Sequence, residues 1–210
     1  MTPQALPILF AGRQFTTDTE VIDLVNARPV TLEPLGDLPG LRALRLRHTN
    51  PHRSPGGALL DLSVLRKCPH LAALEIPGQN VRALDGLEGH RNLHTVDVSS
   101  TRVADLGPLA GLPGLAVLRL RHTRVTELAP LASVSTLEEL DIAHTAVADI
   151  SVLRQLPALA SLDLRATPVT DLTVLADMAA LQRVVLQRLD LERAAIDRLH
   201  EARPDIELIT

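Results

Sequence analysis

Leu71, Leu93, Leu115, Leu137, Leu159 and Leu181 follow one another at a constant interval of 22 residues, and no other feature constrains the fold of this chain as strongly. A fixed period of this length marks an array in which each unit is too small to bury its apolar face alone and must stack on its neighbours. The register extends through the whole unit. Counting the leucine as position one, positions four and six are Leu74 and Ile76, Val96 and Val98, Leu118 and Leu120, Leu140 and Ile142, Leu162 and Leu164, and Val184 and Leu186. Position nine is Thr101, Thr123, Thr145 and Thr167, and position eleven is Val81, Val103, Val125, Val147 and Val169. The hexapeptide LRLRHT occurs at 44–49 and again at 118–123, 74 residues later, which is the sum of one unit of 30 and two of 22. The long unit opens at Leu41, and its eight extra residues lie within NPHRSPGGALLD at 50–61. A degenerate unit precedes it, with Ile22, Leu24, Val30, Leu35 and Leu38, so about eight units span residues 19–190.

Each unit begins with the pattern L-x-x-L-x-L. Alternate residues of an extended strand point to opposite faces, so the leucines turn inward and the residues between them outward. Parallel neighbours need a connection of about a dozen residues, which the rest of a 22-residue unit supplies. Segments such as ADLGPLAGLPG hold too much Pro and Gly for a long helix, which predicts short 3₁₀ or single-turn pieces on the return path. DISVLRQLPA and DLTVLADMAA are expected to make somewhat longer turns. A stack exposes core at both ends unless it is covered. Residues 1–18, with Phe10 and Phe15, are the expected N-terminal cover. At 191–210 the apolar Leu191, Ala195, Ile196 and Leu199 take helical spacing, and Pro204 and Ile206–Ile209 follow, which predicts a helical cap and a last edge strand.

Composition narrows the function. A net charge of −4 gives nucleic acid no general electrostatic attraction. One cysteine, Cys68, excludes an intramolecular disulfide and a cysteine metal cluster. The apolar stretch Ala5–Ala11 is short, contains Pro7 and follows no Lys or Arg, unlike a secretory leader, and no apolar run has membrane-spanning length. The expectation is a single soluble, cytoplasmic domain over 1–210, with no membrane or nucleic-acid partner and no cofactor. The Ala, Leu and Arg bias points to a bacterial source.

Leu93–Gly114 reads L-x-x-L-x-L-x-x-T-x-V-x-D-L-x-P-L-x-x-L-P-x with few departures: it resembles the 22-residue class of leucine-rich repeats found in bacterial internalins and phosphatase-regulating repeat proteins. The resemblance covers about nine-tenths of the chain. It implies an α/β solenoid, a curved right-handed superhelix with a parallel sheet on its concave side and short turns on its convex side, and it implies binding of a partner protein. That family more often carries Asn at position nine, where this chain has Thr.

The outward positions can be followed from unit to unit. Position five gives Asp23, Arg45, Glu75, Asp97, Arg119, Asp141, Asp163 and Val185. Position seven gives Val25, Arg47, Pro77, Ser99, Arg121, Ala143, Arg165 and Gln187, and position eight gives Asn26, His48, Gly78, Ser100, His122, His144, Ala166 and Arg188. Neighbouring strands lie about 4.8 Å apart, so each series forms a column. Arg45 beside Glu75, and Arg119 between Asp97 and Asp141, would balance charge on an exposed sheet. Arg47, Arg121 and Arg165 share a column without an acid, which solubility alone does not require, and arginine commonly anchors interfaces. The expected partner-binding set is therefore Arg45, Arg47, His48, Glu75, Asp97, Arg119, Arg121, His122, Asp141, His144, Asp163 and Arg165. The 50–61 insertion leaves the stack beside it and is either a tolerated surface loop or a second contact to the partner.

The leading expectation is a non-enzymatic module that binds a protein partner of unstated identity through this face. An immunity-type or regulatory inhibitor of one enzyme is the nearest alternative. A hydrolase would use Ser99 or Ser100, His122 and Asp141, which supply the types of nucleophile, base and orienting acid. A metal enzyme would use His122 and His144 with Asp141 or Asp163, but a closed site needs more ligands at fixed geometry. Gly56 and Gly57 lack the Lys-Ser or Lys-Thr that a phosphate loop requires.

Overall fold

The computed structural model describes residues 7–49 and 57–210. Residues 1–6 of the expected N-terminal cover and 50–56 of the insertion lie outside that range. The chain opens with an antiparallel hairpin, β1 (Ile8–Phe10) and β2 (Arg13–Phe15). Ala11 and Gly12, at φ 49° and 77°, make the two-residue turn between them, and positive φ at both positions suits the twist of the strands they join. Phe10 is buried, and its ring centroid lies 6.5 Å from that of Phe15.

Nine parallel strands follow: β3 (Val21–Val25), β4 (Ala43–Arg47), β5 (Ala73–Glu75), β6 (Thr95–Asp97), β7 (Val117–Arg119), β8 (Glu139–Asp141), β9 (Ser161–Asp163), β10 (Arg183–Val185) and β11 (Glu207–Ile209). They form one sheet in sequence order, each beside the next. The period is kept in the hydrogen bonding, where Leu44 faces Leu74, Leu74 faces Val96, Val96 faces Leu118, Leu118 faces Leu140 and Leu140 faces Leu162. All these residues are buried, as are Leu46, Ile76, Val98, Leu120, Ile142 and Leu164 at position six. The result is a curved solenoid around one aliphatic core, in which stacked units bury what none could bury alone.

On the convex side the return path makes 3₁₀ segments at Glu33–Asp37, Ser63–Lys67, Gly107–Leu109, Ala129–Ser133 and Ser151–Gln155. Asp61, Asp105, Asp149 and Asp171 each accept the backbone N–H two residues on, at 2.8–2.9 Å, as these segments or their helical equivalent begin. The turns at 149–158 and 171–180 are longer than the three-residue Gly107–Leu109 of ADLGPLAGLPG, but they do not exceed the five residues reached elsewhere on the return path. Ser151–Gln155 matches three of its counterparts at five residues, and α1 (Thr173–Ala176) is one α-helical turn of four. Near the C-terminus α2 (Arg193–Ala202) buries Leu199, and β11 pairs with β10.

Position twenty forms a core column of Leu38, Cys68, His90, Leu112, Val134, Leu156 and Met178, all buried. Its two polar members use the same acceptor geometry. The Cys68 thiol donates to the carbonyl of Leu35 at 3.4 Å, and His90 Nε2 lies 3.1 Å from the carbonyl of Leu65, the corresponding residue one unit later. Burial pushes the Cys68 thiol up to about 11, so the reactive thiolate is scarce at neutral pH. Cys68 is therefore expected to resist an aromatic disulfide reagent in the folded chain and to react fully after denaturation. Fast labelling without denaturant would contradict the packing described here.

Candidate functional site

The charged residues of position five form a continuous row across the sheet. Asp23 faces Arg45, Arg45 faces Glu75, Glu75 faces Asp97, Asp97 faces Arg119, Arg119 faces Asp141, and Asp141 faces Asp163. From Arg45 to Asp163 these side chains are half-buried, between fully buried residues at positions four and six. They stand on the outer face of the sheet, as strand alternation requires. Arg45 donates through Nε to Glu75 Oε1 at 2.8 Å, the pairing expected from register.

Three other pairings differ from the reading of the sequence. Arg119, expected between Asp97 and Asp141, bonds instead to Glu139, with Nη2 at 2.8 Å and Nε at 3.0 Å from Oε1. Glu139 stands at position three, which lies on the same face as position five and also carries Thr95, Val117, Ser161 and Arg183. That column was missed, although the alternation that exposes position five exposes it equally. Arg47 and Arg165, whose own column carries no acid, find acids of position five instead. Arg47 forks onto Asp23, two positions back on the adjoining strand, and Arg165 forks onto Asp163 of its own strand. An arginine reaches well beyond its own column, so the acids of position five serve the cations of position seven.

Three aspartates of position five also close the turn that follows their strand. Asp97, Asp141 and Asp163 accept the backbone N–H of Ser99, Ala143 and Arg165 at 2.9, 2.9 and 3.0 Å. Position eight then enters the left-handed region, at φ 59° for Asn26, 58° for Ser100, 55° for His122, 58° for His144, 52° for Ala166 and 62° for Arg188. Its N–H donates to the position-seven carbonyl of the next unit, as from His122 to Ala143 at 3.0 Å and from His144 to Arg165 at 2.7 Å. That inter-unit bond offsets a local strain of about 1–2 kcal/mol. Position nine completes the turn. The hydroxyls of Thr101, Thr123, Thr145 and Thr167 donate to the carbonyl three residues back at 2.6–2.7 Å. Threonine thus secures the turn from inside the core.

At the C-terminal ends of β7–β10 these constraints gather Arg121, His122, Asp141, His144, Arg165 and Arg188. The imidazoles of His122 and His144 stack, with centroids 4.1 Å apart and planes inclined by 23°. Burial, then Arg121, Arg188 and Arg165, hold His144 below the ordinary histidine range, while Asp163 acts the other way. Burial raises the Asp141 carboxyl, joined by repulsion from Asp163 and opposed by the bond from Ala143 and by Arg121 and Arg165. His48, at position eight after β4, has its Nε2 3.0 Å from Nε2 of the buried Gln79, and burial and Arg28 lower its affinity for a proton. Among the described residues no group of three or more His, Cys, Asp or Glu could hold a metal ion together, and no helix is long and apolar enough to cross a membrane.

No family model matches the sequence, and no curated protein matches it. Solved structures do match. An internalin C2 of Listeria monocytogenes shares 24% identity over 94% of this chain and 83% of its own, at a TM-score of 0.76. The internalin inlF of the same organism shares 18% over 94% of this chain and 63% of its own, at 0.72. A leucine-rich repeat protein of Leptospira interrogans shares 15% over 85% of this chain and 51% of its own, at 0.69. The chain thus spans less than two thirds of two of these three. Identity at this level speaks for the fold, and with the 22-residue register and the nine-stranded parallel sheet it makes this chain a leucine-rich repeat solenoid.

Proposed function

We propose that the protein is a non-enzymatic interaction module whose concave sheet face binds a partner protein. The observation that carries this reading is the uninterrupted outer row of charged residues of both signs from Asp23 to Asp163, continued at its C-terminal end by Arg121, Arg165 and Arg188. A broad, rigid surface of mixed sign selects partners by charge complementarity and steers their approach. The same openness argues against hydrolysis by Ser99 or Ser100, His122 and Asp141, because oxyanion stabilisation works best where water is excluded. Asp141 Oδ1 is engaged by the N–H of Ala143 in any case.

Reversing Arg119 and Arg121 together to Glu is the direct test. The double variant should lose the partner captured by the native chain, and its stability should fall by about 1 kcal/mol or less per exposed ion pair removed. The convex Arg154→Glu variant should retain the partner. Unchanged capture by the double variant, or equal loss from Arg154→Glu, would overturn the reading.

A further inference from the structure

Resting on that reading, we propose that Arg121 is the seat of a carboxylate from an acidic segment of the partner. Of the five outward-facing arginines at positions five and seven of β4–β9 and their following turns, four hold acids: Arg45 holds Glu75, Arg47 holds Asp23, Arg119 holds Glu139 and Arg165 holds Asp163. Among the described residues Arg121 forms no such ion pair, and its Nε is buried without a hydrogen-bond partner. A buried guanidinium N–H left unsatisfied is costly, and an arginine fork is shaped to receive a planar carboxylate.

Asp141 does not supply that partner: its Oδ1 accepts the N–H of Ala143, and it forms no ion pair with Arg121. Ala143, between Arg121 and Arg165 in the position-seven column, is completely buried. The two long side chains therefore close over a small residue, and a ligand meets their polar ends. Arg188, exposed one unit beyond Arg165, adds a further cation beside the stacked imidazoles. Asp141 and Asp163 bound the same area, so the cluster is cationic by a narrow margin. That balance suits a singly charged carboxylate better than a doubly charged phosphate.

The test follows the Nε–Hε correlation of Arg121 by NMR while the full chain is titrated with acetate, with inorganic phosphate, with a capped peptide of alternating Glu and Gly, and with its Gln counterpart. The Arg121 signal should move downfield and saturate with acetate and with the Glu peptide, stay in place with the Gln peptide, and move further than that of exposed Arg154. Arg121→Lys should weaken the Glu peptide about tenfold, as loss of a charge-assisted bond implies, with no fall in melting temperature of the free chain. An Arg121 signal indifferent to carboxylates, a preference for phosphate over acetate, or a destabilised Arg121→Lys chain would each overturn the assignment. The two readings fail separately. Partner loss on Arg119 and Arg121 reversal with an unresponsive Arg121 signal refutes the carboxylate seat alone, whereas a responsive signal with unaltered partner capture refutes the concave-face reading.

Discussion

Leu118→Ala is expected to lower the free energy of unfolding by about 2–5 kcal/mol, the cost of a buried leucine and the cavity it leaves, while Arg119→Ala, one residue along, costs under about 1. Leu118 has no exposure and contacts the core between Val96 and Leu140. Arg119 stands on the other face, with its side chain 38% exposed and bonded to Glu139. Denaturant titration of the two variants measures the difference. Equal losses would mean that the strand is displaced by one residue, which would invert every side chain on the sheet.

Gly86→Ala should cost about as much, although it adds a single methyl group. Gly86 stands at position sixteen, where other units carry Pro108, Pro130, Val152 or Val174. Its φ is 107°, and a Cβ there would lie 2.4 Å from the carbonyl oxygen of Leu62 and 2.7 Å from Cα of Ser63. The obstacle is backbone of the preceding unit, which cannot rotate away. Backbone strain of about 1–3 kcal/mol and overpacking of about 1–3 kcal/mol together give about 2–6. At Gly40 an added Cβ meets nothing within 4 Å, so Gly40→Ala should change stability by less than about 1 kcal/mol. Thermal melts of the two variants compare them directly, and similar curves would show that the third unit does not press on the second as described.

The stack, its period and its buried columns were legible because each demand is repeated: a leucine at position one or four is required by the unit on either side. The outer face was legible only in part. Position five was placed correctly, but position three was overlooked because L-x-x-L draws attention to its leucines, although Glu139 there takes Arg119. The pairings of Arg47 and Arg165 depend on side-chain reach, which register does not encode. Position eight carries a left-handed backbone with Ser, His, Ala and Arg as readily as with Asn26 or Gly78. Its conformation is imposed by the inter-unit hydrogen bond, so residue type gave little sign of it. His90 and Gly86 were likewise unmarked. Each departs from its column in a single unit, and its reason lies in the carbonyl of the unit before it.

The most direct test of the account is carboxyl-group footprinting of the chain alone and in complex with its captured partner, using a carbodiimide and a small amine. Labelling of Asp23, Glu75, Asp97, Glu139, Asp141 and Asp163 on the outer sheet face should fall on binding, while the exposed convex Asp61, Asp105, Asp149 and Asp171 should keep their full label. Protection of the convex aspartates with the sheet carboxylates still labelled would contradict the account.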